Sequence, residues 1–283
     1  MIKEDTRFLI VGLGLIGGSY ARALSKKGYW VDAIDTNPDS ISYALEQGII
    51  RRGATAPDPV LIEQADIVVF ALYPTVMIEW IRKNQSLFRP GTLLTDVAGV
   101  KCHVLDVIQD FLREDLEFIG SHPMAGKEVY GVRNSDESIF KIANFIVTPT
   151  EKNTQETIDT ARQLGHLLDF HTIVELDPAT HDEMIGFVSQ LTHAIAVSLM
   201  TCNEDEGLQN YTGDSFRDLT RIARINEKMW SELFLLNRKV LIEQIDSFTA
   251  ELLRMREMLR REDRAALEEM FIHSTRRRAL FDR

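Results

Sequence analysis

The feature that most constrains this chain is a glycine-rich turn, Gly12-Leu13-Gly14-Leu15-Ile16-Gly17, which follows the apolar run 8–11 at once and opens a helical pattern. In a strand-turn-helix unit the three glycines have separate tasks. Gly12 permits the tight turn, Gly14 lets a pyrophosphate approach the backbone, and Gly17 lets helix and strand pack closely. The helix N-terminus, with Leu15 and Ile16 in its first turn, adds amide donors for phosphate. Asp35 ends the second apolar run eighteen residues after Gly17, where a carboxylate can accept hydrogen bonds from both hydroxyls of an adenosine ribose. It would repel a 2′-phosphate, and Thr36-Asn37-Pro38 offers no arginine to receive one, so NAD is expected rather than NADP.

Further runs at 30–34, 67–72, 92–95, 118–119 and 145–147 alternate with helical patterns, the rhythm of a parallel sheet buried on both faces. Helices are expected at 19–27, closed by Gly28, at 40–47, closed by Gly48, and at 154–168, with a short strand at 171–175. The chain changes class near Leu176-Asp177-Pro178, and only helices are expected beyond it: an apolar-rich one through Met200 and a long one over 226–261. The fold class is therefore α/β, with a Rossmann-type dinucleotide-binding domain over 1–175 and an all-α domain over 176–283. Leu241, Ile245, Phe248, Leu252, Met255 and Leu259 form one stripe of the long helix. At ~50 Å that helix outruns what a small domain covers, which favours a homodimer through the helical domain; an intramolecular helix pair has the same spacing.

With 45% hydrophobic residues in 283, disorder is excluded and two domains are expected. A net charge of −11 repels nucleic acid and anionic membrane faces. Cys102 and Cys202 stand without partner motifs, so neither a disulfide framework nor a metal site is expected. The N-terminus lacks a secretory pattern and no apolar run approaches the ~20 residues of a membrane span. The expectation is a soluble cytoplasmic protein without nucleic-acid or membrane partners.

Of the histidines, His103, His166, His171 and His273 lack companion ligands, and His181-Asp182-Glu183 reads as a solvated first helical turn. His122 differs, because Gly120-Ser121-His122-Pro123-Met124-Ala125-Gly126 follows a predicted strand directly. There it could take a proton from an alcohol as hydride leaves the same carbon, or simply cap backbone groups. Arg217 and Arg221, four apart, suit either a carboxylate site or a salt bridge with Asp218 or a neighbouring acid. Tyr73-Pro74-Thr75, after a predicted strand, reads as a lining of the nicotinamide side or as a plain proline turn.

Taken together the chain resembles the prephenate dehydrogenase family, which includes arogenate and cyclohexadienyl dehydrogenases. The matching residues are Gly12-Leu13-Gly14-Leu15-Ile16-Gly17-Gly18-Ser19, Asp96 with Lys101, Ser121-His122-Pro123-Met124-Ala125-Gly126, Leu191-Thr192-His193 and Phe216-Arg217-Asp218-Leu219-Thr220-Arg221-Ile222-Ala223. The resemblance implies NAD-dependent oxidative decarboxylation of prephenate to 4-hydroxyphenylpyruvate, a step toward tyrosine. It implies His122 at the substrate's ring hydroxyl, His193 and Arg221 near its carboxylates, Arg217 and Glu128 in a charged network at the mouth, Trp230 along the wall, and a dimer formed by the helical domain. One departure stands out: many relatives carry serine where this chain has Gly99, so a backbone amide or a water is expected to replace that hydroxyl at the substrate. The length is expected to leave no room for added regulatory or mutase domains. An arogenate or dual-specificity cyclohexadienyl dehydrogenase and a non-catalytic NAD-binding sensor are the alternatives.

Overall fold

A computed structural model describes residues 1–281; Asp282 and Arg283, the end of the expected helical domain, lie outside the described residues. The first half runs β1 (Arg7–Val11), α1 (Leu15–Lys26), β2 (Trp30–Ile34), α2 (Pro38–Glu46), β3 (Arg52–Ala54), α3 (Pro59–Glu63), β4 (Ile67–Phe70), α4 (Pro74–Asn84), β5 (Leu93–Asp96), α5 (Cys102–Phe111), β6 (Glu117–Pro123), β7 (Asn144–Thr148), α6 (Gln155–Leu167) and β8 (Thr172–Glu175). The strands form one sheet in the order β3-β2-β1-β4-β5-β6-β7-β8. Side chains alternate across it, so Phe8 and Ile10 of β1 enter one apolar cluster while Leu9 and Val11 enter the other. The order reverses direction between β1 and β4, where open α/β sheets leave a crevice at the carboxyl ends of their strands.

The expected all-parallel sheet is corrected at one pairing: β6 and β7 run antiparallel, with His122 opposite Ile146. The link between them holds only the short 3-10 turns Val132–Asn134 and Glu137–Phe140. Without a crossover helix, the chain returns beside β6 rather than swinging to the far end of the sheet. The crossover α6 then restores a parallel β8.

The second half begins at α7 (Pro178–Ile185), where Asp177 accepts from the amides of Ala179 and Thr180 and Pro178 occupies the first turn. A π-helical segment, Gly186–Leu191, joins it to α8 (Thr192–Thr201). Together they form a continuous stretch of 24 residues, Pro178–Thr201, long and apolar enough by length and composition to cross a membrane, which corrects the expectation that nothing approaches that length. Then follow α9 (Asp214–Thr220), the 3-10 turn Arg221–Ala223, α10 (Glu227–Leu236), α11 (Arg238–Arg260) and α12 (Arg264–Arg278). The single helix expected over 226–261 is broken at Asn237. Its side chain turns inward and donates to the Asp182 carbonyl and to Gln190 Oε1, both at 2.9 Å, while its backbone leaves helical geometry. Along α11, Leu241 is buried but Ile245, Leu252 and Leu259 stay exposed.

Candidate active site

The glycine turn is built for close approach. Gly12 adopts φ +98°, and a Cβ there would stand 2.4 Å from the Ala71 carbonyl oxygen; at Gly17 it would stand 1.9 Å from the Gly12 carbonyl oxygen. Gly14, the N-cap of α1, faces open space instead, which is room for a diphosphate against the first amides of the helix. Asp35 accepts from Leu13 N at 2.6 Å and Asn37 N at 2.8 Å, one bond on each oxygen, and each oxygen keeps a lone pair for a ribose hydroxyl. The turn, the helix start and the carboxylate fit a dinucleotide. A cleft of about 270 Å³ opens just past Asp35, and Arg133 lines it together with Asn37 and Tyr130. No local reading of 36–38 reveals that arginine; its guanidinium lies over the Tyr43 ring, 4.5 Å from the centroid.

His122 lies within β6, not in a loop after it. Its Nδ1 stands 2.9 Å from Nε2 of His181, whose Nδ1 stands 2.8 Å from Asp182 Oδ1. His181 is therefore not the solvated first-turn residue of the sequence reading. It is fully buried, with Asp182 nearly so. The signal lay at four-residue spacing, since His181 shares the inner face of α7 with Ile185. Asp182 also accepts from the amides of Lys101, at 2.8 Å, and Cys102, at 2.9 Å, capping α5 from the other half of the molecule. Burial pulls the His122 imidazole well below the ordinary histidine range, with the charges of His181 and Lys101 acting the same way. Burial also lowers His181, opposed by Asp182. Burial would raise the Asp182 carboxyl, but the bonds from His181 and the two amides hold it below its usual range. At neutral pH the site contains two neutral imidazoles and a carboxylate. Burial and the carboxylate of Asp182 push the Cys102 thiol up to about 12, so it is no nucleophile at neutral pH.

The segment between Asp96 and Lys101 forms the floor beneath His122. Lys101 Nζ is fully buried and donates to Asp96 Oδ2 at 2.6 Å and to the Ala98 carbonyl at 2.8 Å. Asp96 accepts from Ala98 N and Ser121 N, both at 3.0 Å, which ties this turn to β6. Gly99 is thereby brought under the imidazole. A Cβ at Gly99 would meet His122 Nε2 at 3.7 Å and Leu233 Cδ1 at 3.6 Å, ordinary contacts.

The helical half supplies the remaining wall. His193 Nδ1 donates to the Ser189 carbonyl at 2.9 Å, and the ring stacks on Trp230, ring centroids 3.7 Å apart. Burial lowers its imidazole below the usual range. Arg221 forms an ion pair with Glu128. Arg217 does not join that network, as the resemblance implied; it pairs with Asp214 and donates to the Thr212 carbonyl at 3.1 Å. Nor do the two arginines share one helix, because α9 ends at Thr220 and Arg221 opens a 3-10 turn. Tyr73 and Pro74 start α4 as a proline turn, and this turn also docks the halves: Asn226 Nδ2 donates to Tyr73 Oη at 3.0 Å, and Thr75 N donates to Glu232 at 2.6 Å.

Comparison with known proteins identifies the family. A family model described as "Prephenate dehydrogenase, nucleotide-binding domain" matches residues 20–174, and "Prephenate dehydrogenase, dimerization domain" matches 177–273. The chain is 30% identical to a prephenate dehydrogenase of Bacillus subtilis (strain 168), over 95% of this chain and 74% of that protein. It is 26% identical to a cyclohexadienyl dehydrogenase of Zymomonas mobilis, over 95% and 94%. Among solved structures, prephenate dehydrogenase from A. aeolicus in complex with hydroxyphenyl propionate and NAD+ superposes with a TM-score of 0.89 at 29% identity, covering 98% of both chains. The chain belongs to the prephenate dehydrogenase family.

Proposed function

We propose that the chain is an NAD-dependent prephenate dehydrogenase that converts prephenate to 4-hydroxyphenylpyruvate. The observation that carries this reading is a neutral imidazole, His122, whose Nε2 lies over Gly99 in a sheet that also holds a dinucleotide turn. NAD bound along Gly12, Gly14, Leu15, Ile16 and Gly17, with its ribose on Asp35, supplies the hydride acceptor. His122 takes the proton of the ring hydroxyl at C4 as hydride leaves that carbon. Departure of the C1 carboxylate as CO₂ returns an electron pair to the ring and makes it aromatic, and the proton held on His122 goes back to the phenolate oxygen.

The substrate is a dianion, and Arg221 suits one of its carboxylates through a bidentate guanidinium contact. Its present partner, Glu128, is half-buried while Arg221 itself is exposed, so the pair is worth ~1 kcal/mol or less and an incoming carboxylate displaces it at small cost. His193, held flat against Trp230, borders the same side, with Arg217 further out at the mouth. Tyr73 and Pro74 sit beside the nicotinamide end. Gly99 offers no side chain, and a backbone amide or water serves the substrate hydroxyl there.

The active species is a homodimer formed by the domain over 176–283. Phe187 and Val188, 56% and 52% exposed, together with Leu252 and Leu259 of α11 leave an apolar surface uncovered in the single chain, in the region matched as a dimerization domain.

Four assays that follow reduced nicotinamide, pairing NAD or NADP with prephenate or arogenate, test the reading. Turnover with prephenate and NAD is expected. Turnover with arogenate alone would move the specificity while keeping the base, and silence in all four would leave an NAD-binding protein without this chemistry.

A further inference from the structure

The base at His122 does not end at its own ring. Proton positions along His122, His181 and Asp182 follow from the far end, where Asp182 is a carboxylate accepting the amides of Lys101 and Cys102. A carboxylate only accepts, so the proton between it and His181 sits on His181 Nδ1. A neutral imidazole carries one proton. His181 therefore presents a bare Nε2, and the 2.9 Å bond to it must be donated by His122 Nδ1. By the same rule His122 has a bare Nε2, and that is the atom over Gly99.

We propose that His181 and Asp182 are positioning residues for the His122 base: they fix its proton on Nδ1, leave Nε2 free to accept, and share the positive charge that arrives with the substrate's proton. This rests on the reading of His122 as the base. In the step, the substrate O–H bond breaks and a His122 Nε2–H bond forms. The Nδ1 proton shifts toward His181 Nε2, so that the charge settles on a His181 imidazolium paired with Asp182. Return of the proton to the phenolate oxygen runs the shift backwards, and no further reactant is consumed. The other nearby cation, Lys101, does not compete for Asp182, because its ammonium is held by Asp96 and the Ala98 carbonyl. Asn237 steadies the relay from behind by donating to the Asp182 carbonyl at 2.9 Å.

The arrangement also says what a merely structural pair would lack. Asp182 alone suffices to cap α5, and that cap does not need a second histidine aimed at the catalytic one.

Two measurements test the proposal. The first needs no turnover: nitrogen NMR of the imidazoles in the whole protein should find His122 protonated at Nδ1 and bare at Nε2, and the opposite tautomer would overturn the proposal. The second compares His181→Gln, which can still accept from His122 but cannot take a proton, with His181→Leu, which can do neither. We expect kcat to fall ~10-fold and ~10²-fold respectively, with KM for prephenate and NAD affinity unchanged. Placed on a His122→Asn background, His181→Leu should cost nothing more, since both act through one group. An independent loss on that background, or a His181→Leu kcat within about twofold of the parent, would sink the relay. A wild-type protein that shows the stated tautomer yet oxidises neither prephenate nor arogenate would overturn the functional reading and leave the proton arrangement intact.

Discussion

The sheet half closes apolar clusters on both faces of β1 and β4, whereas the described residues from 178 onward bury only Ile185, Leu191, Ala196, Leu233 and Leu241 among their apolar side chains. One of those, Leu233, is buried in the cluster of the sheet half rather than in a core of its own. The contrast teaches that the two halves are stabilised differently. The first is held by a continuous interior and by a buried ion pair, and the second by docking onto the first, with apolar surface still turned outward. The proposed chemistry falls where they meet, with His122 from one side and His181, His193 and Arg221 from the other.

The ion pair offers the sharpest way to break the sheet half. Lys101→Met leaves Asp96 buried without its cation and should cost ~3–5 kcal/mol in chemical denaturation; a loss below about 1 kcal/mol would mean that the backbone amides of Ala98 and Ser121 satisfy Asp96 unaided. The dependent half is probed by Phe187→Glu. A charge on an exposed anchor should cost ~2 kcal/mol or more of association and lower the mass seen by light scattering, while circular dichroism of the monomer stays that of a folded chain. A monomeric parent at micromolar concentration would instead remove the dimer from the proposal.

At the junction, acid is the probe. His122 in the folded chain is held well below the usual histidine value of 6.5 by burial, so the base stays unprotonated as the pH drops through that value and charges only further down. The acid limb of kcat/KM should accordingly lie below 6.5; a limb at or above it would assign the titration to another group. The smallest effect is expected from Gly99→Ser. The added Cβ fits at ordinary contact distances, so stability should change by less than about 1 kcal/mol. Turnover that stays level supports a backbone amide or water in place of the hydroxyl, and a gain of ~10-fold or more would reveal an interaction worth about 1.4 kcal/mol that this chain lacks.

What could be read from the sequence divides along the same line. Gly12 and Gly17 declare themselves because they meet within one turn of chain, Ala71 aside, and Asp35 because a single strand-helix-strand unit sets its distance from Leu13. The helix starts at Pro178 and the buried run in β4 are equally local. The strand β3, three residues without an apolar run, and the reversal of β7 were not legible: the first lacks periodicity, and strand direction depends on what the link from β6 fails to form. His181 was missed for a related reason, since its catalytic-side neighbour lies 59 residues away and nothing adjacent announces it. Arg221 stands out locally only as a charged group, and its pairing with Glu128, 93 residues earlier, is a matter of tertiary docking. The break at Asn237 likewise belongs to a side chain satisfied by Asp182 and Gln190, and helical periodicity runs straight through it.

The cap on α5 has a consequence for the order in which the protein is assembled. The amide of Lys101 waits for a carboxylate 81 residues further along the chain. Once the chain has emerged through β8, every strand of the sheet is available, but α5 still begins on open donors. Only after α7 has been synthesised and has settled does that helix start become satisfied, and the same event delivers His181 to His122. The contact that completes the cap of α5 is thus also the one that completes the proposed relay, and a chain interrupted before Asp182 would lack both together.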